Sequence, residues 1–139
     1  MLRTAGREVY RHCSRRAGGL PVSTVCLRAL ATAGTSRLVD LRTKEEYVDF
    51  PRDKSVVYFT AKWCPPCRRI GPFFAELSEE TPTVSFGKVD IDENGDAASM
   101  AGIMSVPTFK FFQGGQEVEA ISGADANLVE QAVAKLAES

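Results

Sequence analysis

The stretch Val56-Val57-Tyr58-Phe59-Thr60-Ala61-Lys62-Trp63-Cys64-Pro65-Pro66-Cys67 passes from a β-branched and aromatic run into a helical pattern, with two cysteines two residues apart at the join. Val56 to Thr60 reads as a buried strand and the residues from Pro66 onward as a helix. A helix that opens there points unpaired N–H groups and the positive end of its dipole at Cys64, which favours thiolate over thiol at neutral pH. A thiolate can attack a disulfide, so the segment has the local chemistry of a dithiol redox centre.

Working outward, Ser36 to Asp40 suits a short first strand, and Thr43-Lys44-Glu45-Glu46 opens a helix that stops near Phe50-Pro51, since proline cannot continue it. Beyond the cysteines, Ile70, Phe73, Phe74 and Leu77 mark one apolar helical face, and Pro72 is expected to kink that helix by withholding an N–H. Val84 to Asp90 alternates as a strand, and Asp96 to Ala101 gives a short helix. Thr108 to Phe112, the Gly114-Gly115 pair and Val118 to Ser122 read as a hairpin, and Asn127 to Leu136 as a closing amphipathic helix. The order β-α-β-α-β-α-β-β-α implies an α/β domain with a central mixed sheet and helices on both faces. Right-handed crossovers leave few topologies for it.

Charge divides the 139 residues unevenly. Residues 1–37 hold seven arginines, no lysine and one acid, Glu8, a formal charge of +6, whereas the rest carries ten basic residues against seventeen acidic ones. An acidic body without a basic stripe gives no reason to expect nucleic-acid binding, and no apolar run is long enough to cross a bilayer. The leader is Arg-rich and nearly free of acids. Leu2, Ala5, Val9 and Cys13 recur at helical spacing before Gly18, Gly19 and Pro21. Residues 1–35 therefore read as a mitochondrial transit peptide, cleaved or disordered, ahead of one domain over residues 36–139. A secretory signal and a retained basic arm are the competing readings; Arg28 interrupts the apolar core that a secretory signal needs. Cys13, Cys26 and His12 would leave with the leader, and the body keeps Cys64 and Cys67, too few for a disulfide-stapled scaffold.

Several motifs, in order, resemble the thioredoxin family across residues 36–139. Trp63-Cys64-Pro65-Pro66-Cys67 resembles its redox box, Pro72 its helix-kinking proline, Lys88-Val89-Asp90 its third strand, Val106-Pro107-Thr108-Phe109 its cis-proline segment and Gly123 the glycine after its last strand. Ala61-Lys62-Trp63, Arg69 to Phe74 and Pro107 to Phe112 resemble the mitochondrial branch. Two departures lie at the site: Pro65 stands where thioredoxins usually have glycine, and Tyr58 where they have a buried aspartate. In both respects the segment from Tyr58 to Arg68 resembles tryparedoxins and nucleoredoxins, whose longer insertions this body lacks.

The resemblance implies a thioredoxin fold and a role for each residue. Cys64 would attack a substrate disulfide, with Lys62, Arg68 and Arg69 adding positive potential, and Cys67 would resolve the mixed disulfide and close a Cys64–Cys67 disulfide. Trp63, Val106 and Pro107 would bind substrate, with Ile103 and Met104 completing an apolar rim. A cis Pro107 would turn the Val106 backbone toward Cys64, to pair with an extended chain as an added strand. Tyr58, Pro65, Pro66 and Lys88 would tune the site. Pro66 is tolerated in the first helical turn. Pro65 removes an N–H that could face the sulfur, Tyr58 is a poor base at neutral pH, and Lys88 loses the counter-charge it usually has. Simple core packing is the alternative for Tyr58 and for Ile103.

The function so implied is a mitochondrial matrix enzyme, a protein-disulfide reductase working as a monomer on disulfide-containing proteins without a cofactor or metal. Its reductant would be a thioredoxin reductase or a small dithiol such as trypanothione. Two alternatives belong to other classes. One is a holdase that grips unfolded chains at the apolar rim, with the cysteine pair as a redox switch. The other is a transfer protein for an iron–sulfur cluster, which would have to bridge two copies because the body offers no further Cys or His to complete a site.

Overall fold

Thr43 caps the first helix reciprocally: its side chain accepts from the Glu46 N–H while the Glu46 carboxylate accepts from the Thr43 N–H. In the computed structural model, which describes residues 37–51 and 53–139, this helix is α1 (Lys44–Asp49). It follows strand β1 (Leu38–Asp40) and precedes β2 (Ser55–Thr60), every residue of which is buried. Next come α2 (Pro65–Glu80), β3 (Ser85–Asp90), α3 (Gly95–Met100), β4 (Thr108–Gln113), β5 (Gln116–Ser122) and α4 (Ala126–Glu138). The expected element order holds throughout, with boundaries moved by a residue or two. The leader lies outside the described residues.

The sheet runs β1-β3-β2-β4-β5. β3 pairs in parallel with both β1 and β2, while β4 pairs antiparallel with β2 and β5. Gly114 and Gly115 supply positive φ, 59° and 81°, at the tight reversal between β4 and β5. Alternation along the strands then sorts the side chains onto two faces. Val56, Tyr58, Phe86, Phe109 and Phe111 pack on one face against Ile70 and Phe74 of α2 and Val129 and Val133 of α4. Val57, Phe59, Val89 and Phe112 pack on the other with Tyr47 of α1 and Ala97 of α3. The sheet therefore holds helices on both sides, and the parallel strands β2 and β3 end together beneath the N-terminus of α2.

Candidate functional site

β2 delivers the chain to this mouth, and a short turn closed by the Cys64 N–H on the Ala61 carbonyl (3.3 Å) starts α2. Cys64 is the N-cap, in extended conformation, and Pro65 and Pro66 occupy the first two helical positions. Neither proline has an N–H to offer, so the Cys67 N–H is the first helical donor that faces the Cys64 sulfur, at 3.4 Å. Cys64 and Cys67 are joined in a disulfide with their Cα atoms 5.3 Å apart, and both are buried.

The Val106–Pro107 peptide is cis, as the resemblance implied. The Val106 carbonyl oxygen lies 3.6 Å from Cys64 Sγ, so this backbone faces the disulfide. Two bonds hold the segment: the Gly123 N–H donates to the Pro107 carbonyl at 2.8 Å, and the Thr108 hydroxyl to the Ser105 carbonyl at 2.7 Å. Around it Trp63 and Met104 are exposed, 61% and 97%. The Trp63 indole N–H reaches Asp92 Oδ1 at 3.4 Å. Ile103 does not join the rim. It packs into the cluster on the α1–α3 face, so for this residue the core reading is the correct one.

Tyr58 is buried beneath the disulfide, stacked on Phe109 with ring centroids 4.8 Å apart. Its hydroxyl donates to the Cys67 carbonyl at 2.9 Å. Burial pushes the phenol above its ordinary value, with a hydrogen bond from Thr60 acting the other way, so even less of Tyr58 is in the proton-accepting phenolate form here than in water. Two electrostatic expectations need correction. Lys88 keeps a counter-charge, because the β1–β3 register sets Asp40 beside it and the ammonium lies 3.5 Å from that carboxylate. Lys62 adds less positive potential than its sequence position suggests, because Glu93 pairs with it; that bond, and then that charge, raises the Lys62 pKa and lowers that of Glu93.

A cleft of about 450 Å³ opens on the Cys67 side of the disulfide, with Tyr58, Thr60, Arg68, Lys88 and Asp90 in its wall alongside Cys67. Asp90, Asp92 and Glu93 were not singled out as site residues by the sequence reading. The cue was the acidic run that follows β3, which acquires meaning once β3 is placed next to β2.

The family model described as Thioredoxin matches residues 38–135. Among curated proteins, mitochondrial thioredoxin O1 of Arabidopsis thaliana is 41% identical over 110 residues, covering 70% of this chain and 57% of that protein. A TPR repeat-containing thioredoxin of the same plant is 44% identical over 84 residues, which is 60% of this chain but 22% of that longer protein. This chain thus spans less than two thirds of both. Among solved structures, the oxidised form of mitochondrial thioredoxin 3 of Saccharomyces cerevisiae superposes with a TM-score of 0.68 at 30% identity, covering 73% of this chain and 99% of that one.

Proposed function

This chain belongs to the thioredoxin family, and from that premise we propose that it is a thiol–disulfide oxidoreductase reducing protein disulfides through a Cys64/Cys67 dithiol–disulfide cycle. The observation that carries the reading is the Cys64–Cys67 disulfide at the N-terminus of α2, facing the Val106 carbonyl. In the reduced protein the Cys67 N–H and the helix dipole stabilise a Cys64 thiolate. That thiolate attacks one sulfur of a substrate disulfide, expels the other as a thiol and leaves a mixed disulfide. Cys67 then attacks Cys64 Sγ, closes the internal disulfide and releases the second substrate thiol. The substrate gains two electrons and the cysteine pair loses them. Val106 offers its backbone to an extended substrate chain, with Trp63, Met104 and Pro107 shaping the approach. A thioredoxin reductase or a small dithiol such as trypanothione would return the pair to the dithiol state.

The proposed location is the mitochondrial matrix, with residues 1–35 as the transit peptide, residues 36–139 as the working domain and a monomer as the working form. The arginine-rich leader and the mitochondrial relatives support it. These relatives lend no support to the holdase alternative.

The test is insulin disulfide reduction, driven by dithiothreitol, by the chain carrying Cys13→Ser and Cys26→Ser. Turnover that disappears when Cys64→Ser is added supports the cycle. Turnover that survives it overturns the assignment.

A further inference from the structure

A resolving thiol must lose its proton before it can attack, and Cys67 is 2% exposed. Tyr58 cannot take that proton readily. Its hydroxyl is committed as a donor to the Cys67 carbonyl, and burial raises its pKa. The cleft is the way out, since it touches Cys67 and, at about 450 Å³, is far larger than the roughly 30 Å³ that one water occupies.

The sheet register says what faces that water. β2 and β3 pair in parallel with Tyr58 opposite Lys88 and Thr60 opposite Asp90, and residues two apart on a strand share a face. Tyr58 belongs to the core on the α2 face, so Lys88, Thr60 and Asp90 lie on the face that carries Cys67. Asp90 stands at the last position of β3, at the end of the sheet beneath the N-terminus of α2. Among the described residues it is the one carboxylate in the cleft wall, which has no histidine among them. One of its oxygens is held by the Asp92 N–H at 2.9 Å, which fixes the carboxylate, and Asp90 is only half-buried.

We infer that Asp90 is the proton relay for Cys67, accepting its proton through water in the cleft that the two residues share. This rests on the dithiol reading given above. In the resolving step the Cys67 proton passes to cleft water and on to Asp90. The Cys67 thiolate attacks Cys64 Sγ, the Cys64–substrate S–S bond breaks as the Cys64–Cys67 bond forms, and the substrate thiolate leaves to collect a proton from solvent. The other charged groups around the path are cations or already paired. Lys88 faces Asp40, Lys62 faces Glu93, and Arg68 stands on α2 across the cleft, with Arg42 lining the adjoining hollow beyond Lys62 and Lys88.

Field and relay have opposite signs at Asp90. A fixed negative charge near Cys67 disfavours its thiolate, so removing that charge speeds resolution if Asp90 acts through its field alone. Removing a relay slows resolution. The test uses the full chain with Cys13→Ser and Cys26→Ser and, as probe, dithiobis(nitrobenzoate) in rapid mixing. One nitrothiobenzoate is released when Cys64 attacks and a second when Cys67 resolves. With Asp90→Asn the second phase is expected to slow by at least about tenfold at neutral pH while the first does not slow, and the deficit to close at alkaline pH, where hydroxide takes the proton. Asp90→Glu should recover most of the rate. A second phase that is unchanged or faster in Asp90→Asn overturns the relay, as does a slowing that is uniform across pH. A parent protein that releases no second equivalent overturns the dithiol cycle itself, and the relay with it.

Discussion

The Tyr58 hydroxyl donates to the Cys67 carbonyl at 2.9 Å, tying the buried centre of the sheet to the first turn of the helix that carries the disulfide. This bond is structural in kind, since it holds a backbone carbonyl and leaves the thiol alone. Tyr58→Phe keeps the stacking on Phe109 and loses the bond, so it should cost about 1 kcal/mol of folding stability, read as a lower urea midpoint with an unchanged slope. The rate at which Cys67 resolves a mixed disulfide should stay within about twofold of the parent. A large kinetic loss with intact stability would give the phenol a chemical role that this geometry does not.

Alkaline pH should weaken the fold through the same residue. Desolvation raises the native pKa of Tyr58 above 10.0, and Tyr47 shifts the same way through burial and then the charge of Glu117. Above the ordinary phenol value the folded chain therefore binds more protons than the unfolded one. The stability these residues contribute is complete below pH 10.0 and is lost as pH rises through their folded pKa values. Urea midpoints measured on either side of that pH should fall on the alkaline side, and less steeply in Tyr58→Phe. An equal fall in both proteins would remove Tyr58 from the account.

Local signals and tertiary ones separate cleanly along this chain. The Thr43 capping box, the Gly114-Gly115 reversal and the cysteine N-cap involve residues a few positions apart, and their chemistry acts before any sheet exists. The ionic partners of the site are different. Lys88 finds Asp40 and Lys62 finds Glu93 because β3 lies between β1 and β2, a pairing that no local pattern specifies. Ile103 has the same difficulty. It follows Gly102, whose φ of 65° redirects the chain, so strand or helix alternation could not tell which face it would take.

Gly87 lies mid-strand between Val39 and Val57, where a Cβ would come within 2.8 Å of Phe50 and 2.9 Å of Leu41. Leu41 is buried in the cluster on the α1–α3 face and the half-buried Phe50 packs against it, so a Cβ forces at least one of them to shift. Gly87→Ala should therefore lower stability by about 1–3 kcal/mol, although alanine favours strands over glycine in general. Thermal unfolding reads this directly. A variant as stable as the parent would mean that Phe50 can swing clear.

The apolar rim can be separated from the chemistry by substrate size. Trp63 and Met104 are exposed, and neither carries the disulfide. Met104→Ala should raise KM for insulin by roughly fivefold to tenfold, as loss of an apolar anchor does, and leave the reaction with a small aromatic disulfide unchanged. Equal losses on both substrates would place Met104 in the reaction of Cys64 itself.

Glu93 decides how much of the Lys62 charge reaches Cys64. The carboxylate pairs with Lys62 and raises its pKa, and Asp90 and Asp92 add to that effect. Glu93 is itself shifted below the ordinary carboxylate value by this bond, so the pair stays ionised at neutral pH and uncouples only as pH falls through that lowered range. In Glu93→Gln the main partner of Lys62 is gone while its ammonium remains two residues before Cys64. Positive potential at the sulfur rises, and the Cys64 thiolate should form at lower pH. Alkylation by iodoacetamide should accelerate about twofold to threefold at neutral pH and low salt, with the gain shrinking as the Debye length falls to about 10 Å at 0.1 M. Lys62→Gln in the same background should abolish the gain. If Glu93→Gln reacts at the parent rate, Lys62 does not act on Cys64, and the thiolate owes its stability to other groups, the Cys67 N–H and the helix dipole first among them.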